Sequence, residues 1–186
     1  MRTDEAFALT KGALTYIPGL YALLAGGRAG EAISASYCYG VWFKHLTLLT
    51  EVGCVSVPHT VLEFGPGGSL GTGCAALLSG ANCFIGVDAH PLANGMQNAK
   101  VASELLALLR NRAPFCPEGW PDFRKHLDDQ GFPSKILTER VLDASLTPSR
   151  VEAILRNTSR PTLRGKPTMV NYRAPWAGTD VIEPSS

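Results

Sequence analysis

Apolar residues along this chain fall into short runs and longer periodic stretches, and glycine or proline separates them. Val61-Leu62 and Phe84-Ile85 belong to short runs bounded by turn residues, which predicts strands over 60–64 and 83–88. Pro167-Thr-Met-Val-Asn-Tyr172 predicts a third strand, with Arg173-Ala-Pro-Trp176 as its exit loop. Tyr37, Val41, Leu48, Leu49 and Val52 recur near helical spacing within 35–52, and Gly53 follows as a stop signal. A helix of small residues is expected from about Ser69 to Ser79. The stretch from Asn94 to about Arg112 sets Val101, Leu105, Leu108 and Leu109 on one face. Residues 136–145 are also expected to be helical. Thr147-Pro148, an N-cap followed by proline at the first helical position, opens another helix to about Asn157. Residues 113–134, interrupted by Pro114, Pro117, Pro121 and Pro133, read as an extended loop. Strand, helix, strand, helices, strand is an α/β order with a parallel sheet, whose strands are expected to be buried on both faces. Ligands in such folds lie at the carboxyl ends of the strands. Glu63, Asp88 and Tyr172-Arg173 stand at those ends.

Composition narrows the partners. The 186 residues suit one domain with a real core, and a net charge of +1 with scattered Lys and Arg gives no field for nucleic acid or an acidic membrane. Five cysteines, an odd number without a CxxC pair, argue against a zinc site and a disulfide framework and fit a reducing cytosol. The apolar residues of 13–25 are preceded by Asp4 and Glu5 and broken by Pro18-Gly19. That is wrong for a secretion signal and too short for a bilayer span, so two short helical pieces are expected there. A cytoplasmic location follows as the expectation.

The chemistry concentrates at Glu63-Phe-Gly-Pro-Gly-Gly68. A strand ending in a carboxylate, a glycine turn and a helix start together form the first unit of a nucleotide-type site. Glycine lets a ligand approach the backbone, and the helix start offers N–H groups. The dinucleotide pattern Gly-x-Gly-x-x-Gly/Ala departs here, because Leu70 stands at its last position. Gly71-x-Gly73-x-x-Ala76 fits that pattern but falls inside the expected helix. A phosphate-cradling P-loop needs a Gly-Lys-Ser/Thr run, which is absent. Glu63 beside the turn suits a cationic ligand better than a pyrophosphate.

Glu63-x-Gly65-Pro66-Gly67 after an apolar strand, with Val87-Asp88 closing the next, resembles the first two cofactor motifs of class I S-adenosylmethionine-dependent methyltransferases. The resemblance covers roughly residues 35–178. It implies a Rossmann-like fold: a partial parallel sheet of about three strands with flanking helices and an N-terminal helical segment. The implied division is a helical segment over 1–57 and a partial cofactor-binding domain over 58–186, with a helical and loop insertion at about 100–165. It implies that the turn of Gly65, Pro66, Gly67 and Gly68 lies under the methionine part of S-adenosylmethionine, that Glu63 helps to place the cofactor through polar contacts, and that Phe64 is also cofactor-binding. Asp88 would accept from the ribose hydroxyls, with Ala89 and His90 near the adenine. The family has seven strands, so the chain is expected to be the N-terminal part of such a domain, with the first strand left as an open edge.

Other residues carry weaker expectations. Tyr37, Trp42 and Phe43 are read as core contacts, with a place over the cofactor as the alternative. Trp120, Phe123 and Trp176 are candidates for an acceptor pocket, and His45, His59 and His90 are bases by residue type only; no catalytic residue is assigned. The methyl acceptor is expected to be a small molecule. The alternative function is a non-catalytic remnant or interaction module that associates through the open edge. A nicotinamide-dependent oxidoreductase is disfavoured by Leu70 and Glu63.

Overall fold

Short apolar runs between turn residues become three parallel strands: Thr60–Phe64 (β1), Cys83–Val87 (β2) and Val170–Arg173 (β3). The computed structural model describes residues 34–115, 125–161 and 168–176. Residues 13–25, Cys116, Trp120, Phe123, Pro167 and the stretch after Trp176 lie outside the described residues, as do the expectations placed on them. By its contacts the chain divides into residues 1–32 and 33–186, and everything described here belongs to the second unit.

The strand order is β1-β2-β3, with Glu63 opposite Gly86 and Gly86 opposite Tyr172. Among the described residues five α-helices accompany the sheet: Ala35–Glu51 (α1), Gly71–Leu78 (α2), Gly95–Arg110 (α3), Glu139–Ser145 (α4) and Pro148–Ser159 (α5). Their starts are set by local chemistry. Ser34 accepts from the Tyr37 N–H and Thr138 from the Val141 N–H. Asn94 accepts from the N–H groups of Met96 and Gln97, as an N-cap should. Thr147 precedes Pro148 without a side-chain cap bond, so the proline's fixed φ sets that start.

Strand pairing assigns the faces. Val61, Glu63, Phe84, Gly86, Val170 and Tyr172 share one side, and Thr60, Leu62, Phe64, Cys83, Ile85 and Asn171 share the other. α2 packs on β1 and β2, α5 on β3, and α2 and α5 on each other, so these helices cover one face. Phe84, Val170 and Tyr172 on that side are buried, whereas Leu62, Cys83, Ile85 and Asn171 are half-buried and Phe64 is exposed. The expectation of burial on both faces therefore fails among the described residues. Only Val87 on the outer side is sealed.

α1 also differs from its sequence reading. Its buried residues are Ala35, Cys38, Tyr39, Trp42, Phe43, Leu46 and Thr47. Tyr37, Leu48 and Val52, expected on the core stripe, are exposed. The fit against α2 is close: a Cβ on Gly71 would overlap Cys38 and Val101, so α1 and α3 meet α2 there only because the position has no side chain. Trp42 and Phe43 are core residues, as expected. Phe43 meets Tyr39, Phe115 and Phe132 in tilted and edge-on ring contacts. No described helix is long and apolar enough to cross a membrane.

Candidate functional site

β1 delivers the chain to the glycine turn, and hydrogen bonds on three sides hold the turn in place. The Gly65 N–H reaches the Val87 carbonyl at 2.8 Å. The Gly67 N–H donates to Asp88 Oδ2 at 2.9 Å. Behind the turn, fully buried Asn98 of α3 accepts from the Leu70 N–H at 2.9 Å. Gly65 and Gly67 take φ of +71° and +66°, which a side chain would strain, and a Cβ at either would meet nothing within 4 Å. The turn is thus rigid below and open above.

These bonds also engage donors of the turn and of the helix start. A pyrophosphate at a glycine turn is held by main-chain N–H groups. Here Gly67 gives its N–H to Asp88, Leu70 to Asn98, and Gly71 to Ser69 Oγ at 3.2 Å. A carboxylate already occupies the position from which an anion would be gripped. Gly71 and Gly73, which match the dinucleotide spacing, serve packing instead: they lie in α2, where a Cβ on Gly73 would overlap the Phe84 ring.

Asp88 spends Oδ2 on the turn and keeps with Oδ1 only a long 3.4 Å bond from the His90 N–H. The loop after it is fixed by Tyr172, a buried residue of β3. Its hydroxyl donates to the His90 carbonyl at 3.0 Å and accepts from the Leu92 N–H at 3.1 Å. Ala89 and His90 are exposed on this loop. Phe64 and Trp176 stand at the carboxyl ends of β1 and β3, exposed, with ring centroids 5.7 Å apart and planes at 60°. The Trp176 N–H donates to the Asp88 carbonyl at 2.7 Å, which ties the exit of β3 to the end of β2.

Glu63 is set differently. Its side chain lies on the helix-covered side, between Cys38 of α1 and Thr72 of α2. Burial pushes its carboxyl up to about 7, against the downward pull of the Thr72 hydroxyl. Its Oε2 is buried without a hydrogen-bond partner. Burial and the neighbouring Glu63 raise the Cys38 thiol to about 11, and burial raises Cys74 to about 12, so both are unreactive apolar contacts. Glu63 also lines a groove of about 460 Å³ between α1 and β1, together with Trp42, His45, Leu48, Val52 and Leu62.

The structure therefore brings Phe64, the 65–68 turn, Asp88, Ala89 and His90 to one end of the sheet, and sets Glu63 against α1 beside that end. His59 stands at the opposite end, before β1, so it does not join them. Sequence reasoning missed Asn98 and the hydroxyl of Tyr172. An asparagine within a helix gives no sign of what it will cap across space. Tyr172 was visible as a strand end but not as the anchor of the 90–92 loop. Comparison of the chain with protein-family models, curated proteins and solved structures gave no match.

Proposed function

We propose that the carboxyl end of β1 and β2 binds S-adenosylmethionine, and that the chain is the cofactor-holding part of a class I methyltransferase acting on a small-molecule acceptor. One observation carries this reading: the Gly67, Leu70 and Gly71 N–H groups at the glycine turn are already bonded, Gly67's to a carboxylate, while the space above the turn is open. A ligand that is polar, free of phosphate and positively charged suits such a turn. When bound, the cofactor supplies an electrophilic methyl group on sulfur, open to in-line attack by a nucleophilic oxygen, nitrogen or carbon.

The chain's own groups would have distinct tasks. Gly65, Gly67 and Gly68 offer the surface for the methionine part, and Pro66, buried beside Gly86, supports the turn from below. Asp88 Oδ1 faces the ribose hydroxyls as an acceptor, while Oδ2 keeps the turn in place. Tyr172 holds the Ala89-His90 loop beside the adenine through its two hydrogen bonds. Phe64 adds an exposed aromatic face at the same end. The orphaned Glu63 oxygen is an acceptor for the cofactor's ammonium group.

Calorimetric titration with S-adenosylhomocysteine tests the reading. Binding at about 10 µM is expected, with NADH giving no heat. Asp88→Asn should weaken S-adenosylhomocysteine by about tenfold, because one charge-assisted acceptor is lost. No heat up to about 1 mM, or tighter binding of NADH, overturns it.

A further inference from the structure

The groove between α1 and β1 has the edge of a strand as its floor. The His59 carbonyl accepts from the Asn82 and Cys83 N–H groups, and the Gly65 N–H reaches Val87, so the odd-numbered residues turn their main chain toward β2. By the two-residue alternation of a strand, Thr60, Leu62 and Phe64 turn theirs the other way. Among the described residues no strand takes them. One wall of the groove is α1, with Leu48, Leu49 and Val52. The other opens onto the outer face of the sheet at Leu62, with half-buried Ile85 beside it. At the same edge Glu63 Oε2 is buried without a donor. A buried acceptor left in that state is costly, and whatever fills the groove meets it first.

We propose that this edge is a strand-addition site for an extended, apolar segment of another protein that carries one lysine or arginine. The unpaired main-chain groups of Leu62 and Phe64 are spaced for an extended partner, since only a strand presents complementary groups at a two-residue repeat. In an added strand, alternate side chains would face the α1 wall and the outer sheet face, and both are apolar. The residue beside Glu63 in that strand points to the same side as Glu63, at cross-strand distance. A basic side chain there gives Oε2 the charge-assisted hydrogen bond that it lacks. The segment's positive charge follows from that single orphaned oxygen, and its extended form from the bare edge. The groove follows the length of β1 and needs nothing bound at the glycine turn, but the two readings share Glu63 Oε2, so the test is made without cofactor.

Fluorescence anisotropy with the labelled peptide Val-Leu-Thr-Lys-Thr-Leu-Val-amide tests this without cofactor. Leu, Lys and Leu then share one side of the strand. Binding at about 10–100 µM is expected. Replacing the peptide's Lys by Glu should weaken it by about tenfold or more, and Glu63→Gln should shrink that difference to less than about threefold. N-methylation of one alternate set of peptide nitrogens should abolish binding, and of the other set should leave it nearly unchanged, because only one set faces β1. These peptide changes cannot unfold the protein. Equal binding of the Lys and Glu peptides, equal effects of the two N-methylated sets, or no binding at about 1 mM overturns the proposal. Sedimentation as a dimer that Leu62→Arg dissociates would assign the edge to a second copy and overturn it as well.

Discussion

On the helix side of the sheet, Phe84, Val170 and Tyr172 are at most 1% exposed; on the outer side, Phe64 is 64% exposed, and Leu62 and Ile85 are only half covered. Both sides are apolar. They differ in what was selected to meet them. The inner side is met by α2, whose Gly73 lets the Phe84 ring sit directly against the helix and whose Gly71 admits Cys38 and Val101. The helix ends there are tied down too: Arg150 donates to the carbonyls of Leu77 and Ala81 at 3.0 and 2.6 Å, and Trp42 Nε1 donates to Ser79 Oγ at 2.9 Å. The outer side and the β1 edge have no such fitted partner among the described residues. Stability is concentrated on one face, while the other face and the strand ends are left open among the described residues.

The largest expected effect tests that division directly. Phe84→Ala should cost about 3–5 kcal/mol, because it empties a fully packed site. Phe64→Ala should change stability by less than about 0.5 kcal/mol, as exposed positions do. Chemical denaturation of the two variants reads both numbers. If Phe64→Ala is as damaging as Phe84→Ala, the outer face is already covered and the contrast fails.

How far the two faces were legible follows from the same residues. β1 and the start of β2 were placed correctly, because Pro58-His59, Gly65 and Asn82 bracket short apolar runs. α5 was found from Thr147-Pro148. The turn and its flanking carboxylates were legible because few residue types fit there. Which side of a strand is covered was not legible, since Val61-Leu62 and Phe84-Ile85 read the same whether one face or two are buried. The α1 stripe failed for a related reason. Tyr37, Leu48 and Val52 read as its stripe, yet the packed side holds Tyr39, Trp42, Phe43 and Leu46 with the small residues Ala35, Cys38 and Thr47 between them. The residues mistaken for core, Leu48 and Val52, prove to be the wall of the groove. A strongly apolar stripe on a helix marks a surface to be covered, and the chain's own fold does not always cover it.

Glu63 sits where the closed and open regions meet, and its titration gives the next largest effect. Its carboxyl is raised from 4.5 to about 7 in the folded chain. Between those values the folded state holds a proton that the unfolded state has released. The favourable contribution is therefore complete below pH 4.5 and is lost as pH rises through about 7. The loss amounts to at most about 3 kcal/mol. Glu63→Gln, which cannot ionise, should be more stable than the parent at about pH 8 by up to that amount and indistinguishable from it at about pH 4. Thermal melts across that range read the difference. A constant gap at all pH values would mean that Glu63 is solvated as an ordinary carboxylate and that the closed region stops short of it.

A smaller loss than at Phe84 or Glu63 is expected at the glycine turn, where it separates a conformational need from a spatial one. Gly67 has φ of +66° with nothing within 4 Å of the position a Cβ would take. Alanine there should cost about 1–2 kcal/mol through the left-handed backbone alone, and asparagine, which tolerates that region, should cost less. Gly73 is the counterpart inside α2: its backbone is ordinary, but its Cβ would overlap the Phe84 ring, so Gly73→Ala should cost more than Gly67→Ala. The two glycines part again on binding. A methyl group at 67 occupies the space reserved in the cofactor reading for the ligand's backbone approach, so Gly67→Asn should fold well yet weaken S-adenosylhomocysteine by about tenfold or more. Affinity unchanged in Gly67→Asn would mean that no ligand lies on the turn, and the openness above it would then be incidental to a loop shaped only to receive Asp88.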